Sequence, residues 1–291
     1  MGQKSELTIG KIILFLIALF IIQTILIVLF MVIYGAVYTV LNPGVHSSEL
    51  TSIINSSSLL NGINFLFIEL SIFFFALILG HKYKTSIISL FQVKKVNVIL
   101  TAFIFLFSIS FLIVSSELEN IFASIFGRMT FIGEFIVNIS KVPGIVGLIA
   151  SIFVIGVVPA IAEETLFRGV IQKNLSLRYG VLKALVVTSF LFALIHVNPS
   201  SIVSIFLLGL MLGYLYLKTK NLMYPIFLHF FYNTLATLLT RVKIFEIKGL
   251  TTGLSKVEHV SLTVFLPSVI FTILLALIVH KTIESREKNE L

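Results

Sequence analysis

The sequence contains no cysteine. That removes disulfides, thiolate metal sites and a cysteine nucleophile at once, while leaving the redox compartment open. It contains no tryptophan, so an interfacial aromatic belt has to come from tyrosine and phenylalanine. Charge is scarce too, at 12% of residues against about 25% in a soluble domain. No internal repeat and no low-complexity tract is visible, which excludes solenoid and disordered classes.

What fills the space is apolar. Of 291 residues, 58% are hydrophobic, and the mean hydropathy is +1.10. An apolar surplus with a charge deficit calls for a bilayer as solvent. The net charge of +8 reads as lysine and arginine gathered in cytoplasmic loops, with no nucleic-acid partner implied.

A bilayer core takes about 20 apolar residues per helix. By that measure the spans are 12–38, 60–80, 97–114, 143–163, 181–197, 200–217, 222–240 and 262–280. The breaks carry turn or charge signals: Asn42-Pro43-Gly44, Lys82 to Lys95, Lys141 to Gly144, Arg178-Tyr179-Gly180, Asn198-Pro199 and Lys218 to Asn221. The first run is far longer than a signal-peptide core and reads as an uncleaved, tilted anchor. Segment 115–142 reads as an amphipathic interfacial stretch. With the N-terminus inside, 15 of the 21 Lys and Arg residues fall in inner segments; both termini are expected to be cytoplasmic. The expectation is an all-α integral membrane protein of about eight transmembrane helices, with a core of four at 143–240. Residues 1–142 supply the preceding helices, and 241–291 an outer loop, the last helix and a tail.

Ionised groups in hydrocarbon are costly, so the polar residues within spans are informative. Glu69 lies in the second span and is assigned to packing. Glu163, Glu164 and Arg168 close the fourth. Phe192 and His196 share a face of the fifth, and His229 and Asn233 a face of the seventh. Glu164 and Arg168, four apart, form an intrahelical pair. Glu163 is rotated by about 100° from Glu164 and faces elsewhere. Glu163 and His196 are equidistant from the turn at Tyr179-Gly180, each about 25 Å away along continuous helix. Antiparallel packing can therefore bring Glu163, His196, His229 and Asn233 together. Uninterrupted from 143 to 178, the fourth helix is about 50 Å long; a kink at Pro159, or an exit from the hydrocarbon after Thr165, would relieve the excess. Gly209 and Gly213, four apart in the sixth span, allow a neighbouring helix to approach closely.

The series Glu163-Glu164-x-x-x-Arg168, Phe192-x-x-x-His196 and His229-x-x-x-Asn233 resembles the three motifs of the CAAX-processing and bacteriocin-processing (CPBP, or Abi) intramembrane proteases, which include CAAX prenyl proteases and lysostaphin-resistance proteins. The resemblance covers about residues 143–240. It implies an endopeptidase acting near the end of a membrane-associated peptide or lipidated protein, and several bacterial members are linked to bacteriocin immunity or maturation. A bacterial plasma membrane is the expected location.

Peptide hydrolysis needs an activated water, oxyanion donors and a proton for the leaving amine. Glu163 is the candidate base, His196 orients the water, and His229 and Asn233 donate to the oxyanion. Glu164 and Arg168, with Phe192, support them. The favoured reading has no metal. Zinc is the alternative, since Glu163, His196 and His229 are a His2Glu set. That would consume Glu163 as a ligand, and the sequence has no H-E-x-x-H helix. Two further functions compete: a non-catalytic immunity or scaffold protein of the same fold, and a proton-coupled transporter built on buried Glu and His.

Overall fold

A computed structural model describes residues 6–86, 96–128, 137–241, 247–251 and 257–289. Among these the protein is all-helical: α1 (Ile9–Leu41), α2 (Ser47–Ser56), α3 (Ser58–Lys82), α4 (Val98–Phe126), α5 (Gly144–Tyr179), α6 (Val181–Ile195), α7 (Ile202–Thr219), α8 (Met223–Arg241) and α9 (Leu262–Asn289). It is an all-α integral membrane protein. Among the described residues six helices, α1, α3, α4, α5, α7 and α9, are long and apolar enough to cross a bilayer unaided. Helix α6 has 15 residues, and α8 is interrupted by His229, Tyr232, Asn233 and several threonines. These two depend on their neighbours for burial.

The outward faces are apolar. Ile13, Leu14, Phe20, Leu29 and Val37 of α1 are exposed, as are Ile270, Phe271 and Leu274 of α9. In water such patches would drive aggregation; in lipid they are the solvated surface. The core lies around α5, with Leu166, Phe167, Val170, Ile171 and Leu175 fully buried against Phe192, Leu212 and Leu228.

Polar bonds at both ends of the bundle show how the helices alternate. At one end Asn174 of α5 donates to Thr85 after α3, and the Tyr224 hydroxyl of α8 accepts from the backbone of Asn97 and from Arg286 of α9. At the other end Glu117 of α4 accepts from His259 and from the Val260 backbone just before α9. There too Arg241 of α8 donates to the carbonyls of Ser140, Val142 and Gly144 at the start of α5.

Two expectations change. Helix α4 runs on to Phe126, twelve residues past the expected end at 114. It continues because its polar residues turn inward: Ser115 bonds Tyr232, Glu117 meets the approach to α9, and Asn120 donates to the Gly249 carbonyl. So 115–126 is a bundle helix, not an interfacial strip; positions 129–136 of that stretch, with Phe131, Glu134 and Phe135, lie outside the described residues. Helix α5 does not leave the bundle after Thr165. Residues Thr165–Gln172 are all buried, and two π-helical segments, Ile152–Val157 and Thr165–Gln172, interrupt the helix. Such widened turns are common at functional sites. The turn expected at Tyr179-Gly180 is present, with Gly180 at φ 86°, a conformation that costs glycine nothing.

Candidate active site

Proline 159 has no N–H, so its helix loses the bond that would reach Ile155, four residues back. The Ile155 carbonyl instead accepts from the side-chain amide of Asn233, at 3.1 Å. Beside it, Gly156 has no side chain, and a Cβ there would stand 2.7 Å from the Thr234 hydroxyl. The first π segment and its glycine thus seat α8 against α5 just before the adjacent glutamates.

Those glutamates then part. Glu164 is fully buried, and its Oε1 accepts from Arg168 at 2.8 Å and from His229 Nδ1 at 3.0 Å. The Arg168 guanidinium also donates to the Gly209 carbonyl at 3.2 Å and lies 4.3 Å from the centre of the Phe192 ring. One turn on, Gln172 donates to the Gly213 carbonyl at 2.9 Å. Donors four apart on α5 therefore meet glycines four apart on α7. The close approach that the glycine spacing predicts is real, and it serves hydrogen bonding as well as packing. The Phe192 ring stands edge-on to His196 and to His229, at 5.0 and 5.9 Å.

Glu163 faces a cavity of about 1030 Å³. Its wall includes Glu163 and Pro159 of α5, His196 after α6, and His229 and Asn233 of α8, amid apolar side chains of α1, α3 and α6. Glu164 and Arg168 lie behind that wall. One Glu163 oxygen, Oε2, is buried without a hydrogen-bond partner among the described residues. His196 Nδ1 lies 2.8 Å from the Phe192 carbonyl. A carbonyl only accepts, so Nδ1 carries the proton and Nε2 is the acceptor in the neutral ring. By the same reasoning His229 donates from Nδ1 to Glu164. Its Nε2 becomes a donor when the ring is protonated.

Two settings were not visible in the sequence. Glu164 and Arg168 do not form a closed pair, because Glu164 also holds His229. Glu69, assigned to packing, lies in the same cavity wall as Glu163. Its position in the sequence, alone in an apolar span, was the available signal.

The comparison with protein families follows this geometry. Residues 145–235 match the family described as type II CAAX prenyl endopeptidase, Rce1-like. The match supports the CAAX protease family for this segment. The match takes in α5, α6, α7 and most of α8, and so all the polar residues of the three motifs. Neither a curated protein nor a solved structure matches the chain significantly.

Catalytic zinc takes three protein ligands converging on one point, with Zn–N and Zn–O distances of about 2.0–2.2 Å. Among the described residues no group of three His, Cys, Asp or Glu side chains is so arranged. The Glu163, His196 and His229 set does not form a ready zinc site, and no step below passes through a metal.

Proposed function

We propose that the protein is an intramembrane endopeptidase that hydrolyses a peptide bond of a membrane-associated peptide or lipidated protein. The observation that carries this reading is the common cavity of Glu163, His196, His229 and Asn233, which come from three separate segments of the chain. The family match at 145–235 supports the same class of chemistry.

Water sits between Glu163 and His196 Nε2. The Glu163 carboxylate takes a proton from it as the oxygen attacks the scissile carbonyl. Negative charge then grows on the carbonyl oxygen. His229 Nε2–H donates to it, with Glu164 holding the ring through Nδ1. Asn233 has two amide hydrogens; one is held by Ile155, and the other is free to join His229. Donors fixed in advance at the site of developing charge supply a large part of such catalysis. The apolar walls from α1, α3 and α6 suit a hydrophobic or lipid-bearing substrate. The distribution of lysine and arginine supports both termini on the cytoplasmic side.

The test is a substitution series on purified protein in detergent, with an internally quenched peptide ending in a prenylated cysteine and three further residues. Glu163→Gln and His196→Ala each abolish cleavage while insertion and yield stay normal, and wild-type cleavage survives exhaustive chelation. Full activity in both variants would transfer the assignment to a non-catalytic immunity or scaffold protein. Loss on chelation, restored only by added metal, would return the zinc alternative.

A further inference from the structure

The cavity holds a second carboxyl that the reaction above does not use. Glu69 of α3 is 3% exposed, and its Oε2 has no hydrogen-bond partner among the described residues. Helix α3 packs directly on the Val158–Glu164 portion of α5, which carries Glu163. Around Glu69 the cavity wall is Phe65, Ile68, Ile72 and Gln23. The Gln23 amide already donates to the Ile68 carbonyl and the Ser71 hydroxyl.

The ionisable groups sharing this cavity are Glu163 from α5, His196 beyond α6 and His229 from α8. Arg168, the charged neighbour in α5, is directed at Glu164 and Gly209. Glu69 and Glu163 line the same cavity wall, and among the described residues no Lys or Arg side chain lines it. Like charges that share an apolar-walled cavity disfavour one another, so the pair is assigned one proton. The reaction above uses Glu163 as the ionised base, which leaves the shared proton on Glu69. Glu69 is then a neutral acid whose O–H is a donor.

We propose that Glu69 is the general acid of the site, donating its proton to the leaving amine. The proposal rests on the endopeptidase reading and adds a catalytic residue to it. Glu163 takes a proton from water as the C–O bond forms and the carbonyl π pair moves onto oxygen. When that pair returns, the C–N bond breaks and the nitrogen takes the Glu69 proton. Glu69 is left ionised and Glu163 neutral. Transfer of one proton from Glu163 to Glu69 restores the start. One water is consumed, an acid and an amine are released, and no oxidant or cofactor enters.

The experiment compares two substrates with the same prenylated acyl part: the peptide amide, and an activated ester whose leaving group departs without protonation. Glu69→Gln lowers amide hydrolysis on the order of 100-fold and leaves ester hydrolysis near wild type. Glu163→Gln lowers both. Equal loss on both substrates in Glu69→Gln, or no loss on either, overturns the proposal alone. Wild-type inactivity on both overturns the endopeptidase reading, and the general acid with it. Infrared difference spectroscopy at neutral pH supplies a readout independent of turnover. The carbonyl stretch of a neutral carboxyl is present in wild type and is lost in Glu69→Gln. Its absence from wild type, or its loss in Glu163→Gln with retention in Glu69→Gln, overturns the assignment.

Discussion

The two sides of α5 around residues 163–168 solve opposite problems with the same residue type. Behind the cavity wall, Glu164 is bonded to Arg168 and His229, and Arg168 continues to a backbone carbonyl and an aromatic ring. In front, Glu163 and Glu69 line an apolar cavity, each with a buried oxygen left unpartnered; Glu164 Oε2 is unpartnered too, but Glu164 Oε1 holds both Arg168 and His229. Buried charge is tolerated when paired. The paired layer behind therefore holds shape, and the unpaired layer in front is where proton chemistry is available. Neighbouring positions in sequence end up in different electrostatic environments because a helix turns by about 100° per residue.

That contrast can be broken most severely from the front. Glu163→Gln keeps the side-chain shape and removes the base; cleavage of the quenched peptide should fall at least 100-fold, on the order that acid–base catalysis contributes, with thermal stability in detergent nearly unchanged. From behind, the reverse is expected. Arg168→Met strands Glu164 in the core, and loss of one partner of a buried pair costs about 3–5 kcal/mol. A large fall in melting temperature in detergent checks this, and joint replacement of Glu164 and Arg168 by apolar residues should recover part of it. A smaller effect tests the contact that supports the paired layer. A Cβ on Gly213 would stand 2.5 Å from Leu185 and 2.7 Å from the Gln172 side chain, so Gly213→Ala should cost about 1–3 kcal/mol through overpacking. The mildest change is Phe192→Leu, which loses the ring face under Arg168 and the edge-on contacts with His196 and His229. A loss of about 1–2 kcal/mol is expected from the cation–π contact, with a modest fall in kcat. If the stability changes of Arg168→Met and Glu163→Gln were equal, the distinction between the layers would fail.

The pairing of Glu164 with Arg168 and the different facing of Glu163 were both legible from spacing, since each is a property of one helix. So was the close approach at Gly209 and Gly213. The bond from His229 to Glu164 was not, because it joins residues 65 apart across two helices. That Glu69 shares a cavity wall with Glu163 was hidden for the same reason: a lone acid in an apolar span shows no neighbour until the helices pack. The end of α4 was placed early because Ser115, Glu117 and Asn120 read as water-facing, whereas in a bundle polar residues turn toward one another.

The amino-acid pattern by itself determined that the chain enters a membrane, that its helices lie where apolar runs exceed the bilayer width, and which residue types are available for chemistry. Length and transfer energy settle those matters locally. The tertiary structure alone decided which carboxyls share a cavity, which histidine is held by Glu164, and that Pro159 leaves a carbonyl for Asn233. These depend on how deep and how rotated each helix sits against its neighbours, and that is set by packing of side chains from distant parts of the chain.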